Sequence, residues 1–405
     1  MFPSINEQLE IIKRGIEELI SEDELVKKLE RSEKTGKPLR VKQGFDPTAP
    51  DIHLGHTVGI RKLRQFQELG HKIVLIIGDY TGMVGDPSEK NETRPRLSHK
   101  KIMENARTYE DQFFKILDRN LTEVRYNGEW FSKMKFDEIM NLASKFTIAR
   151  ILERDDFSKR YKEEKPISLH EFFYPLMQGY DSVAIEADVE IGATEQKFNL
   201  LAARQVQKEY GIEQQIILTL PVLEGLDGKQ RMAKSLGNYV GIDDPPDEMY
   251  GKIMSIPDNL ILKYFTLITD YSLQQLKDVE KRLSDPDVNP MSIKKELART
   301  VVAMYHSQKD VLFAQGAFEQ VFTKKEIPDD IKEIRVDKAV ESLLLVKLLA
   351  DNDIVTSNGE GRRLIKQGAV KVNDEKISDI NYQLKPSNEY IVKVGKRRFV
   401  KFVTN

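Results

Sequence analysis

Residues 44–56 read GFDPTAPDIHLGH and place two of the chain's six histidines, His53 and His56, three positions apart where a Gly/Pro/Asp loop gives way to a helical pattern. A loop that leaves a parallel strand and enters a helix is a phosphate site in α/β sheets, because free N–H groups and the positive helix end favour anions. Imidazoles at that turn are suited to donate to phosphate oxygens, and Gly55 between them leaves the backbone open to a flat ring. The stretch lacks the GxGxxG dinucleotide fingerprint. Taken alone, two histidines at this spacing read first as surface or capping residues. A second stretch changes the balance some 175 positions later: RMAKSLGN (231–238) follows an apolar run and the turn GLDGKQ. Lys234 and Ser235 in such a loop suit a clamp that closes on a polyphosphate, although a lone charged loop is usually a solvated turn. Between the two, Tyr174, Gln178 and Asp181 are spaced to share one helix face.

The surrounding periodicities say what must hold these groups. LRVKQGF (39–45) reads as a strand. Val58, Leu63, Phe66 and Leu69 recur at helical spacing up to Gly70, a natural stop, and IVLIIGD (73–79) is the unbroken apolar run of a doubly buried strand. Strand, helix, strand predicts a parallel sheet with right-handed crossovers, with further strands at 123–128 and 215–223. The first 30 residues read as helical. After about residue 245 strand-like runs cease and five helices follow, at 248–255, 258–268, 272–284, 291–307 and 309–322. The charged stretch 324–338 reads as a linker. Residues 339–405 form a compact unit, with helices at 340–350 and 359–367, then short strands. The organisation expected is an α/β catalytic domain (1–245), a helical domain (246–323), a linker (324–338) and a small α+β module (339–405).

Composition narrows the function classes. No cysteine among 405 residues excludes disulfides, cysteine-ligated zinc and thiol catalysis, and fits a cytosolic chain. No apolar run approaches a membrane span, and the N-terminus has no secretory h-region. The net charge is only −2, yet residues 341–405 carry 12 basic against 8 acidic side chains, which leaves −6 on the remainder. A basic module on a mildly acidic body points to nucleic acid. In GEGRRLIKQGAVKVND (359–374), Arg362, Arg363 and Lys366 fall on adjacent turns of one helix and suit backbone contacts to a folded RNA.

HLGH and RMAKS, in this order, resemble the two signature motifs of class I aminoacyl-tRNA synthetases, and the surrounding sequence narrows the resemblance to the tyrosyl-tRNA synthetases. It covers nearly the whole chain and implies a Rossmann-like catalytic domain, an all-helical anticodon-binding domain and an S-four-like RNA-binding domain. The activity implied is ligation of L-tyrosine to tRNA(Tyr) by a cytoplasmic homodimer that uses ATP with accompanying Mg²⁺, with no structural metal and no membrane partner. By the same resemblance, Thr48, His53, His56, Lys90, Arg94, Arg231, Lys234 and Ser235 serve the phosphates during catalysis. Asp46, Gly55, Glu195 and Lys234 hold ATP. Asp86, Tyr174 and Gln178 meet the ammonium of tyrosine, Asp181 its phenol and Gln196 its carboxylate; Lys42 is placed at the same site, and Arg362, Arg363 and Lys366 on tRNA. This chain departs from the more familiar pattern at Lys42 (usually tyrosine), Glu89 (glycine), Glu195 (aspartate) and Arg231 (lysine). For Lys42 the expectation is a stem packed on the substrate ring.

Other readings stand beside this one. Tryptophanyl-tRNA synthetases share both motifs, but Asp181 with Gln178 and the C-terminal module favour tyrosine. Small nucleotidylyltransferases share a histidine-glycine-histidine loop, yet would not need residues 245–405. A synthetase-like RNA-binding or splicing protein that has lost its activity would not need His53, His56, Asp86, Asp181 and Lys234 together, whereas one that supplements its activity with a second RNA role would keep them.

Overall fold

The continuous apolar runs become the buried strands of a six-stranded sheet. In the computed structural model, which describes residues 2–47, 52–86, 97–322, 332–336, 343–373, 375–385, 388–395 and 398–404, the strands are β1 (Glu18–Ile20), β2 (Arg40–Phe45), β3 (Lys72–Ile77), β4 (Thr122–Tyr126), β5 (Val189–Ala193) and β6 (Ile216–Leu220). Their order is β1-β6-β5-β2-β3-β4, with all pairs parallel except β1 on β6. The strands β3, β5 and β6 are buried almost throughout, as expected of a sheet covered on both faces. The chain builds β2, β3 and β4 in one direction and then adds β5 and β6 on the other side of β2. The switch therefore falls between β2 and β5, and the crevice beyond their carboxyl ends is where such sheets bind ligands.

The helix Leu54–Glu68 leaves β2 and returns the chain to β3, with Gly70 at φ +93°, a conformation only glycine adopts cheaply. The helix Phe173–Ala184 follows β4 at a distance, and Lys197–Glu209 connects β5 to β6.

Two strands of this sheet differ from the sequence expectation. The first 30 residues are not one helical stretch: Ile5–Lys13 and Glu22–Thr35 are helices, and β1 lies between them. The reason is tertiary, since the edge of β6 offers unpaired backbone groups that Glu17 to Ile20 satisfy, beginning with Glu17 N–H to Thr219 O at 2.8 Å. VEIGA, which becomes β5, is not marked as a strand because Glu190 interrupts its apolar run.

Between residues 246 and 322 the α-helices are Pro246–Met254, Ile261–Ile268, Leu273–Ser284, Pro290–Tyr305 and Gln308–Phe322, each within a few residues of its expected span. The described chain divides into two compact units, Met1–Pro245 with Lys252–Tyr305, and Pro246–Gly251 with His306–Asn405. In the second unit, β7 (Lys332–Val336), β8 (Val370–Val372), β9 (Glu375–Lys376), β10 (Asn388–Val394) and β11 (Arg398–Thr404) form a sheet in the order β7-β11-β10-β8-β9. Leu345, Leu349, Ile365, Val370, Val392, Val400 and Phe402 fill its core. Strand β7 lies inside the stretch read as a linker: KEIRV pairs in parallel with β11, and Val336 is buried. Its alternation of charged and apolar residues is the period-2 pattern of a half-buried strand, which the high charge of the stretch masks. Among the described residues no helix is long and apolar enough to cross a membrane.

Candidate active site

The carboxyl ends of β2 and β5 open into a cavity of about 670 Å³, the size of a small-molecule site. Asp46, His53, Gly55, His56, Asp86, Tyr174, Gln178, Asp181, Glu195, Gln196, Arg231, Lys234 and Ser235 all line it. Sequence positions spread over some 190 residues thus meet at one switch point. Thr48, Lys90 and Arg94 lie outside the described residues, as does Glu89.

One end of the cavity is made by the two motifs. His53 precedes the helix Leu54–Glu68, and its backbone N–H donates to His56 Nδ1 at 3.3 Å. With Nδ1 occupied as an acceptor, a neutral His56 carries its proton on Nε2. The two rings stack with centroids 3.8 Å apart. Burial pulls His53 down to about 2, helped by His56 and Lys234, and burial with Lys234 pulls His56 down to about 4. Both are therefore neutral near pH 7 and offer N–H groups without adding charge. His53 Nδ1 is buried and has no hydrogen-bond partner among the described residues. Gly55 is as tight as it is open: a Cβ there would stand 3.0 Å from the His53 ring and 3.4 Å from Met232 Cβ.

The second motif is stitched to the first through the backbone. His53 and Gly241 form an antiparallel bridge, Leu54 N–H donates to Val240 O at 2.9 Å, and Ile242 N–H to Ile52 O at 3.2 Å. The loop itself is clasped by Asn238, whose Oδ1 accepts from Ala233 N–H at 2.9 Å while its Nδ2 donates to Arg231 O at 3.0 Å. Arg231 approaches Glu195 at 3.8 Å, and the Lys234 ammonium lies 5.7 Å from the centre of the Tyr239 ring. Two neutral imidazoles beside two cations make this end a receptor for a polyanion.

The other end is acidic. Asp46 accepts from Tyr174 Oη at 2.9 Å and Thr81 Oγ1 at 2.8 Å. Asp86 accepts from Gln196 Nε2 at 2.5 Å and from the buried Arg154 at 3.3 Å. Asp181 is 4% exposed and accepts from Trp130 Nε1 at 3.0 Å and Asn127 Nδ2 at 3.4 Å. Burial pushes its carboxyl up to about 7, against the pull of Lys42, Asn127 and Trp130. Burial and the neighbouring carboxylates of Asp46, Asp86 and Asp181 raise the Tyr174 phenol well above its ordinary range. Three carboxylates here attract an ammonium, and a buried acceptor such as Asp181 demands a donor from whatever fills the space beside it.

Lys42 does not line the cavity, so its stem offers no face there for a substrate ring, contrary to the sequence expectation. It is fully buried behind the Phe173–Ala184 helix, with its ammonium 3.0 Å from Glu190. Arg362, Arg363 and Lys366 are also absent from the lining; they are exposed on the helix Asn358–Lys366, whose opposite face buries Gly361 and Ile365.

Sequence reasoning missed Asn127, Trp130 and Arg154, and also Gln43 of β2, which lines the cavity. Trp130 is the only tryptophan of the chain and follows the end of β4 closely, a position that flags a binding residue. Arg154 gives no local signal.

The family described as tRNA synthetases class I (W and Y) matches residues 33–323, and the tyrosine–tRNA ligase SYY-like C-terminal domain matches 323–401. A tyrosine–tRNA ligase from Carboxydothermus hydrogenoformans is 54% identical over 403 residues, 98% of each chain. One from Thermotoga maritima is 49% identical over 393 residues, 97% of this chain and 96% of that one. Among solved structures, the tyrosyl-tRNA synthetase of Archaeoglobus fulgidus complexed with L-tyrosine aligns with a TM-score of 0.63 at 24% identity, over 77% of this chain and 99% of its own, which speaks for the fold.

Proposed function

The chain belongs to the class I tRNA synthetases of the tryptophan and tyrosine family, and we infer from that membership and from its site that it is a tyrosine–tRNA ligase. It activates L-tyrosine with ATP, giving tyrosyl-adenylate and pyrophosphate, and then transfers tyrosine to the 3′ end of tRNA(Tyr). The observation that carries the substrate is Asp181, a buried carboxylate held by Trp130 and Asn127 at the wall of a cavity that is acidic at one end and cationic at the other.

Activation needs no nucleophile from the protein. A carboxylate oxygen of tyrosine attacks the α-phosphorus in line, the bond to the β-phosphate bridge breaks, and pyrophosphate leaves with the electron pair. The protein positions the reactants and stabilises charge that grows on the phosphates. His53 and His56 donate from neutral rings to the triphosphate, with Thr48, while Lys90, Arg94, Arg231, Lys234 and Ser235 take the departing pyrophosphate. Asp46, Gly55 and Glu195 serve the nucleoside, Glu195 at the ribose. Asp86, Tyr174 and Gln178 receive the ammonium, Gln196 the carboxylate and Asp181 the phenol. Phenylalanine would deny Asp181 the phenol's hydrogen bond and leave it only its Trp130 and Asn127 donors, the effect for which the handling of tyrosine against phenylalanine by this enzyme class is itself a known example. In the second step a terminal ribose hydroxyl of tRNA attacks the adenylate carbonyl and AMP leaves.

ATP enters as its magnesium complex. Asp46 and Asp86 are both held by hydrogen-bond donors, which suits them poorly as metal ligands, so the ion comes and goes with the nucleotide. Residues 246–323 serve as the anticodon-binding domain. Residues 339–405, joined through 324–338, serve as an S-four-like RNA-binding domain, with Arg362, Arg363 and Lys366 on tRNA phosphates. A homodimer is supported by exposed apolar residues between β4 and β5, among them Phe136 (76%), Ile148 (65%) and Leu169 (74%), which are costly to leave in water. The protein works in the cytoplasm, where tRNA is charged.

The deciding experiment is ATP–pyrophosphate exchange without tRNA, run with tyrosine, tryptophan and phenylalanine in turn, beside a Lys234→Ala control. Exchange with tyrosine alone, lost in the control, is the expected result. Exchange driven by tryptophan would overturn the substrate, and none with any of the three would overturn the activity.

A further inference from the structure

Lys42 lies on β2 at a position that the family resemblance assigns to the substrate, yet it is fully buried and its three N–H donors all have partners within the protein. They are Glu190 Oε1 at 3.0 Å, the Gln178 carbonyl at 2.9 Å and Ser182 Oγ at 2.7 Å. Glu190, 1% exposed on β5, is the hub of the cluster. Besides Lys42 it accepts from Gln178 Nε2 at 3.0 Å, from Ser182 Oγ at 3.2 Å and from Gln215 Nε2.

A carboxylate only accepts, so each amide beside Glu190 must present its nitrogen to it. Gln215 shows how firmly this rule holds: its Nε2 goes to Glu190 although its Oε1 is left buried with no hydrogen-bond partner among the described residues. The same rule acts on Gln178, which lines the cavity. With Nε2 held by Glu190, the end left for a ligand is Oε1, an acceptor. Without an acceptor-only neighbour the two ends of an amide exchange freely, and an N–H turned toward an ammonium repels it.

We propose that the buried Lys42–Glu190 pair is a positioning device for the amino acid's ammonium, which orients the Gln178 amide with its oxygen toward the pocket. Glu190 sets the orientation, and Lys42 supplies the counter-charge without which a carboxylate sealed in the core is not tolerated. Neither residue touches the substrate. The role rests on the tyrosine reading above and adds two residues to it.

The test uses full-length enzyme in the exchange assay, with three constants measured: KM for tyrosine, KM for ATP, and the inhibition constant of 3-(4-hydroxyphenyl)propionate, which is tyrosine without its ammonium. The variants are Glu190→Gln and the double variant Lys42→Met with Glu190→Gln, which leaves no unpaired charge and decides the matter if the single variant fails to fold. The expected result is a rise in KM for tyrosine of about tenfold or more, the size of a lost charged hydrogen bond. KM for ATP and the inhibition constant stay within about twofold of wild type. Equal weakening of tyrosine and the des-ammonium analogue would mean a collapsed pocket and would overturn the role, as would an unchanged KM for tyrosine. A wild-type enzyme that shows no exchange with tyrosine would overturn the substrate assignment first, and this role with it.

Discussion

Replacing Trp130 by phenylalanine keeps an aromatic ring beside Asp181 and removes one atom that matters, the indole N–H that donates to Asp181 Oδ1 at 3.0 Å. A hydrogen bond to a buried charged acceptor contributes about 1.5–3 kcal/mol, and at about 1.4 kcal/mol per tenfold the expected rise in KM for tyrosine is roughly 10- to 150-fold. The ionisation of Asp181 moves as well. Burial already pushes this carboxyl up to about 7, with Lys42, Asn127 and Trp130 pulling it down and Glu190 pushing it up. Loss of the Trp130 donor leaves it protonated to higher pH. Since the phenol needs an ionised acceptor, KM for tyrosine in the wild type falls as pH rises through about 7, and in Trp130→Phe the same fall comes later, by about one pH unit or more. Stability follows the same sign. A carboxyl raised in the folded state contributes stability below its ordinary range that is lost as pH rises through about 7, so the variant is destabilised more at pH 8 than at pH 6. The assay is pyrophosphate exchange from pH 5.5 to 9 with tyrosine and ATP varied separately, together with thermal unfolding at both ends. A tyrosine profile that superimposes on the wild type, or an equal rise in KM for ATP, would refute the reasoning.

Three further outcomes follow from the geometry. Asn238→Ala removes the clasp that joins Ala233 and Arg231 of the phosphate loop, and kcat for exchange is expected to fall about tenfold while KM for tyrosine stays put, measured at saturating ATP. Deleting residues 341–405 should leave tyrosine activation intact and abolish tRNA charging; unchanged charging would remove the tail from its assigned role. Leu169→Asp places a charge on an exposed apolar residue and should halve the mass seen by sedimentation, with secondary structure unchanged by circular dichroism.

The chemistry of the phosphate end was legible from local sequence because it is local. His53 and His56 meet across one turn of helix, and Lys234 with Arg231 lie in one short loop, so spacing alone brings each pair together. The helices after residue 245 were legible for the same reason, since a 3.6-residue apolar period is a property of a window and not of the fold. A charged composition hid β7, and Glu190 hid β5, because in both the apolar alternation is short and interrupted.

By itself, then, the sequence determined the βαβ core, the two motifs and the class of ligand they invite, since each depends on residues that are neighbours along the chain. Only the tertiary structure decided that β1 leaves its helical surroundings to satisfy the open edge of β6, and that Trp130 and Asn127 reach Asp181 from beyond β4. The same holds for Lys42, which turns away from the pocket because Glu190, 148 positions further on, lies beside it across the β2–β5 pair. A buried charge goes wherever its counter-charge and acceptors are, and in this chain those are set by sheet order and not by proximity in sequence.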